Sequence, residues 1–219
     1  MRTIGIIGSG RVGGALARLA VAHGLRVVVS NSRGPETLAD LVAELGPHAR
    51  AATPEEAALA CDLAFAAVPV RAYRDLPATA LRDRTVVDAI NHDPARHGHV
   101  PGLDGATTSE LVQAHLSGSR VVKACNNIFS GSLLALARPS GAPDRSALPV
   151  AGDDPGARAE VAAFLDVIGY DVVDAGPLAE GWRWQPGTPA HLVHAGATVH
   201  EAVPAGVERV RAALAAATR

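Results

Sequence analysis

Near its start the chain places an apolar, strand-forming run directly before three glycines spaced G-x-G-x-x-G, and an amphipathic helix directly after them. Few folds accommodate that order. Thr3 to Ile7 reads as a buried strand, Gly8-Ser9-Gly10-Arg11-Val12-Gly13 as the turn, and Gly14 to His23 as a helix stopped by Gly24. A glycine-rich hexapeptide alone is common in loops, but between a strand and a helix it is a dinucleotide-binding fingerprint. Gly8 permits the tight turn, Gly10 lets a pyrophosphate approach the backbone, and Gly13 lets the helix sit close to the strand. The helix N-terminus adds free amides and a positive dipole end. Gly8, Ser9, Gly10, Arg11, Val12 and Gly13 are therefore candidate cofactor-binding residues.

Short apolar strands alternate with amphipathic segments from there on, the signature of βαβ units. Arg26 to Ser30 reads as the second strand. Pro35 opens a helix in which Leu38, Leu41, Val42 and Leu45 recur at helical spacing, with Gly46 as its stop. Thr53 with Glu56, and Thr107 with Glu110, form capping boxes at two further helix starts. Strands are expected at Asp62 to Val68, Arg84 to Ala89 and Arg120 to Ala124. After a turn-rich connector at Pro139 to Asp144, a strand at Leu148 to Ala151, a helix at Pro155 to Ile168 and a strand at Tyr170 to Asp174 extend the same sheet. Gly181 to Gly206 shows no periodicity and leads to a terminal helix with Val207, Val210 and Leu214 on one side. The expected fold is α/β, a doubly wound Rossmann architecture with a mainly parallel sheet and a small C-terminal extension. Residues 1–140 form the nucleotide-binding domain and residues 141–219 a smaller substrate or dimerisation portion.

The end of the second strand bears on the choice of dinucleotide. A site for NAD places a carboxylate there for the ribose hydroxyls, whereas a site for NADP has small polar groups and an Arg for the extra phosphate. Here the strand ends Ser30-Asn31-Ser32-Arg33, with no carboxylate between Arg26 and Pro35. A guanidinium pairs with phosphate through charge-assisted bonds, so NADP(H) is the expected cofactor, with Asn31 or Ser32 beside Arg33 at its phosphate. Ligands of open parallel sheets lie beyond the carboxyl ends of the strands. That rule selects Val68-Pro69, Asp88 to Asn91 and Cys125-Asn126-Asn127, and from these Val68, Pro69, Asn91 and Asn126 join the cofactor-binding set.

Composition narrows the alternatives. Lys and Arg total 20 against 22 for Asp and Glu, a formal charge of −2, so nothing favours nucleic acid or an anionic membrane surface as a partner. Aromatics are 3% of a chain that is 48% hydrophobic, which leaves small aliphatic side chains suited to close helix-on-sheet packing. Two cysteines, Cys61 and Cys125, without a CxxC pattern argue against a disulfide framework and for a reducing, cytoplasmic setting. The longest apolar stretch, Leu63 to Val70, falls far short of the roughly 20 residues that span a bilayer. Lys123, the only lysine, is the sole and weak candidate for Schiff-base chemistry. His97 with His99, and His191 with His194, have ligating spacing but no accompanying carboxylate or thiolate, so no metal is expected.

With these pieces in place the sequence resembles the family of NADP oxidoreductases that use the deazaflavin coenzyme F(420). The likeness rests on Ile4 to Gly13, Ser30 to Arg33, Cys61 to Pro69, Val121 to Asn127, Val150 to Asp153 and Asp174 to Leu178. It implies a Rossmann domain with a small C-terminal portion and NADP held by the glycine loop and by Ser32 and Arg33. It also implies a nicotinamide near Val68, Pro69 and Asn126, and a homodimer. One departure stands out: Ala179 to Gly187 replaces a regular helix of the family with a segment containing Trp182 and Trp184.

The resemblance points to hydride transfer between NADP(H) and a flat, flavin-like acceptor, with F(420) as co-substrate and no dedicated catalytic acid or base. The alternative is NADPH-dependent reduction of a small imine or carbonyl compound, which needs a proton donor, with His92, Tyr73 and Cys125 as candidates. A third reading is a non-catalytic NADP sensor. Trp182 and Trp184 are expected to close over the substrate or contact a second subunit, or else to plug the core.

Overall fold

The computed structural model describes residues 2–103 and 105–218. In chain order, strands β1 (Thr3–Ile7) and β2 (Arg26–Ser30) flank helix α1 (Arg11–Ala22), and helix α2 (Ala39–Leu45) leads to β3 (Ala49–Ala51). Helix α3 (Pro54–Ala60), β4 (Leu63–Ala66), β5 (Thr85–Asp88), α4 (Pro94–His97), α5 (Thr108–His115) and β6 (Arg120–Lys123) follow. The chain closes with α6 (Ser130–Ala135), β7 (Ala147–Gly152), α7 (Pro155–Val167), β8 (Asp171–Asp174) and α8 (Val207–Ala215). One sheet runs β3-β2-β1-β4-β5-β6-β7-β8.

Successive strand residues point to opposite faces, and the core divides accordingly. Phe65, Val87 and Val122 pack on one side with α1 and α7, where Phe65 and Phe164 lie 5.0 Å apart between ring centroids. Their neighbours Ala64, Ala66, Val86 and Val121 pack on the other, with Tyr73, Leu76 and Leu116. Both faces of the sheet are covered, as parallel strands require. The scarcity of aromatics follows from this, because helices approach the sheet over Ala, Val and Leu.

The doubly wound α/β class and most strands stand where the periodicity put them, and both capping boxes form at Thr53 with Glu56 and Thr107 with Glu110. Four details differ. Helix α1 begins at Arg11 with Gly10 as its extended N-cap, not at Gly14, so the last glycine of the motif, Gly13, is helical. Glycine's poor helix propensity hid this start. The single helix expected from Pro35 is a 3-10 turn over Pro35–Leu38 that passes into α2, and Gly46 ends it at φ 76°. Strand β3, Ala-Arg-Ala, carries no β-branched residue to announce it. The series of parallel strands stops at β6, because β7 pairs with it antiparallel through Val122–Gly152 and Lys123–Ala151. Strand β8 is parallel to β7, so residues 147–174 continue the same sheet.

The C-terminal segment folds back as a 3-10 turn, Leu178–Trp184, and an irregular run before α8. Trp184 is fully buried among Ala147, Ala151, Val210 and Leu214. Of the roles expected for it, Trp184 takes that of a core plug and does not reach outward to a substrate or a second subunit. Trp182 is half-buried, with the Arg183 guanidinium 4.8 Å from its ring centroid. No helix among the described residues is long and apolar enough to cross a membrane.

His194 ties this segment to β7. Its Nε2 lies 3.0 Å from the Ala147 carbonyl and its Nδ1 is buried without a partner among the described residues. Protonation would bury an unmatched N–H and a charge, and burial lowers the imidazole from its ordinary value of 6.5 to about 4. Between these values the unfolded chain takes up a proton that the folded chain refuses, so stability falls as pH falls through that window. The loss from pH 6.5 to 4 is on the order of 3 kcal/mol. Denaturation at a series of pH values should show this slope, and His194→Gln, which does not titrate, should flatten it.

Candidate active site

Where the strand order reverses, with β1 between β2 and β4, the crossovers diverge and open a crevice at the carboxyl ends of the strands. A cavity of about 480 Å³ occupies it. Backbone bonds from Gly8 N to Ser30 O (3.0 Å), Ala67 N to Ile7 O (2.9 Å) and Ala89 N to Ala66 O (3.0 Å) carry the sheet ladder to its rim. The lining comes from Gly8, Ser9, Gly10, Arg11 and Val12, from Asn31, Ser32 and Arg33, from Val68 and Pro69, and from Asn91. Of the candidate residues, only Gly13 and Asn126 lie outside the lining.

The three glycines differ in what a side chain would meet. Gly8 has φ +100°, and a Cβ there would fall 2.5 Å from the Ala67 carbonyl oxygen. At Gly13 a Cβ would fall 1.9 Å from the Gly8 carbonyl oxygen, so this glycine holds helix against strand behind the cavity wall. A Cβ on Gly10 would meet nothing within 4 Å. Gly10 instead leaves its backbone open toward the cavity, at the N-terminus of a helix that has no side-chain cap and no acidic residue in its first turn. Orphan amides and a positive dipole end are thereby available to an anion.

At the end of β2, Ser30 turns inward and donates to the Ile6 carbonyl at 3.0 Å. The next residues form a braced loop: Arg33 N donates to Asn31 Oδ1 (2.8 Å) and Asn31 Nδ2 to Thr37 Oγ1 (2.9 Å). That bracing leaves the exposed Arg33 side chain, like that of Arg11, without an ion-pair partner among the described residues. Two unpaired guanidiniums, an uncapped helix start and a backbone that a Cβ would cover fit a phosphorylated dinucleotide. Sequence reasoning missed Pro54, Asp75 and Leu76 in the lining. Pro54 follows a visible capping residue and could have been found from it, whereas Asp75 and Leu76 belong to the 3-10 turn Val70–Asp75 and its end, which carry no periodic signal.

At the far end, Asn91 lines the cavity and Asn126 stands behind it, 3% exposed. Asn91 Nδ2 donates to the Asn126 carbonyl (2.6 Å), and Asn126 Nδ2 donates to Asn91 Oδ1 (2.9 Å). Asn127 is fully buried, with Nδ2 on the Ala190 carbonyl at 3.2 Å. Beneath this turn lies a buried ion pair. Lys123 Nζ lies 3.2 Å from Asp88 Oδ2 and donates also to the Ile90 carbonyl, while Ser109 Oγ donates to the same carboxylate oxygen at 2.6 Å. Asp88 Oδ1 accepts from Ile90 N at 2.9 Å. Burial pulls the Lys123 ammonium below its ordinary range against the opposing attraction of Asp88. Every contact of this lysine is structural.

The three candidate proton donors stand apart from the cavity lining. Tyr73 is 8% exposed and its hydroxyl accepts from Arg74 Nε at 3.0 Å. Cys125 is fully buried in a left-handed conformation (φ 62°), and burial pushes its thiol up to about 12. His92 lines a neighbouring cavity of about 430 Å³ and places Nε2 2.9 Å from the Gly98 carbonyl. Among the described residues no three His, Cys, Asp or Glu side chains gather as a metal site.

Comparison with known proteins agrees with this geometry. Residues 3–92 match the family model described as NADP oxidoreductase, coenzyme F(420)-dependent. The solved structure of hypothetical protein SMa0349 from Sinorhizobium meliloti is 30% identical, covers 87% of this chain and 93% of its own, and has a TM-score of 0.76. A protein from Arthrobacter sp. FB24 assigned as an F(420)-dependent NADP reductase is 26% identical over 81% of this chain and 85% of its own, with a TM-score of 0.67. The Escherichia coli (strain K12) protein YjhV is 42% identical over 53 residues, which span 24% of this chain and 39% of that protein. From its glycine turn, its doubly wound sheet and these relatives, the chain is an NADP-dependent oxidoreductase whose residues 3–92 match the F(420)-dependent NADP oxidoreductase family.

Proposed function

We propose that the chain transfers a hydride between NADP(H) and the deazaflavin coenzyme F(420). The observation that carries the cofactor half is the end of β2, where the unpaired Arg33 guanidinium follows Asn31 and Ser32 and no carboxylate intervenes. In this reading Asn31, Ser32 and Arg33 hold the ribose phosphate, and the Gly10 backbone with the start of α1 holds the pyrophosphate. Val68, Pro69 and Asn91 border the nicotinamide. The bound dinucleotide supplies the hydride. The residues around it fix its ring against a second flat ring, at a donor-to-acceptor separation of about 3 to 3.5 Å, and shield the pair from water.

The position of the proton donors favours a flat acceptor over a small imine or carbonyl compound. Reduction of the latter needs a proton delivered within hydrogen-bond reach, and Tyr73, Cys125 and His92 are all absent from the cavity lining. The match of residues 3–92 to a family described as F(420)-dependent supports the deazaflavin in particular.

NADPH oxidation followed with the deazaflavin and, separately, with cyclic imines tests the acceptor. Turnover with the first alone is expected; turnover with imines alone would transfer the assignment to them, and binding without any turnover would make the chain a sensor. Arg33→Ala should weaken NADPH by about tenfold or more and NADH little, because only the former carries the phosphate. Equal losses for both would remove Arg33 from the phosphate site. Gly10→Ala should keep the melting temperature but lose dinucleotide affinity, whereas Gly13→Ala should cost several kcal/mol of stability, on the order of an overpacked core. Thermal melts with and without NADPH separate the two effects.

A further inference from the structure

We propose that Trp184 is a positioning residue for the nicotinamide half of the cofactor, acting through Asn126 on Asn91; this rests on the NADP(H) assignment above. Its indole Nε1 donates to Asn126 Oδ1 at 2.7 Å, and its backbone carbonyl accepts from Asn126 Nδ2 at 3.3 Å. An indole N–H can only donate. It therefore dictates which way round the Asn126 amide sits, since the flipped amide would set two donors against each other. With Asn126 so fixed, its Nδ2 faces Asn91 and requires Asn91 Oδ1 there, while Asn91 Nδ2 faces the Asn126 carbonyl. Asn91 is left with one N–H and one oxygen lone pair uncommitted, a donor and acceptor in fixed relation at the cavity rim. That pair matches a carboxamide, the polar group that nicotinamide carries.

The relay has support from below. The peptide before Asn91 is pinned by Lys123 on the Ile90 carbonyl and by Asp88 on the Ile90 amide. The turn that carries Trp184 rests on the same lysine, because a Cβ on Gly181 would lie 3.3 Å from Lys123 Cγ. A tryptophan serving only as a core plug needs some acceptor for its N–H. Here the acceptor is the side chain that orients Asn91, the amide that lines this end of the cavity.

Trp184→Phe keeps a buried ring and removes the N–H. Its affinity for NADPH should fall about tenfold, while its affinity for the phosphoadenosine half of NADP, which lacks nicotinamide, should stay within about twofold. In an Asn91→Ala background the same change should have no further effect, because the relay ends there. Should Trp184→Phe fail to fold, Asn126→Ala cuts the relay in the middle and should show the same split between the two ligands. Equal weakening of both ligands, or losses from Trp184→Phe and Asn91→Ala that multiply, would overturn the relay alone. Failure of the unaltered chain to bind the phosphoadenosine fragment would overturn the NADP(H) assignment and the relay with it.

Discussion

The whole arrangement depends on how closely α1 approaches β1. With a Cβ at residue 13 only 1.9 Å from the Gly8 carbonyl oxygen, nothing but glycine allows the helix to start where it does. That start aims the uncapped amides of α1 into the crevice, lets Gly8 run beside the end of β4, and sets the distance at which the strand-end loop Asn31 to Arg33 faces them. A shift of α1 by the width of one methyl group would move its amides relative to the Arg33 guanidinium. Close packing here is the means by which an electrostatic site is assembled.

How much of this was legible depends on the type of signal. Val27, Val28 and Val29, and the Thr53 and Thr107 capping boxes, announce their elements through local chemistry, and each appears where that chemistry puts it. The cavity lining was legible for a related reason, since strand ends in a parallel sheet are where ligands lie. Strand β3 was silent because pairing with Val27 to Val29 makes Ala49 to Ala51 a strand, with no propensity of its own. The reversal at β7 is equally a matter of partners: an apolar run reads the same in either direction. Asn126 lies behind the lining for a subtler reason. Its position at a strand end is correct, but its amide is used by Asn91 and Trp184, residues 35 and 58 positions away in the chain.

The two ends of the cavity are built on different principles. The end at Gly10 and Arg33 relies on backbone amides and exposed arginines, which keep their charge in water and whose attraction is screened by salt. The opposite end rests on a network of Asp88, Lys123, Ser109 and the paired asparagines, buried except where Asn91 meets the cavity. Buried pairs of this kind add little net stability, yet removing one partner strands the other. Their effect is to hold the Ala89 to Asn91 turn in one geometry.

Because β8 is the edge strand, beyond β7 and β6, the turn Leu178–Trp184 has to bring the chain back across the sheet to Asn126. This has a temporal consequence for a chain that emerges from the ribosome N-terminus first. The glycine turn and the Asn31 to Arg33 loop are in place once β4 has paired, whereas the opposite wall waits for a contact 58 residues downstream of Asn126. Contacts of such separation close late in folding. A nascent chain thus owns a half-built pocket, open at the Asn91 end, until the Leu178–Trp184 turn docks.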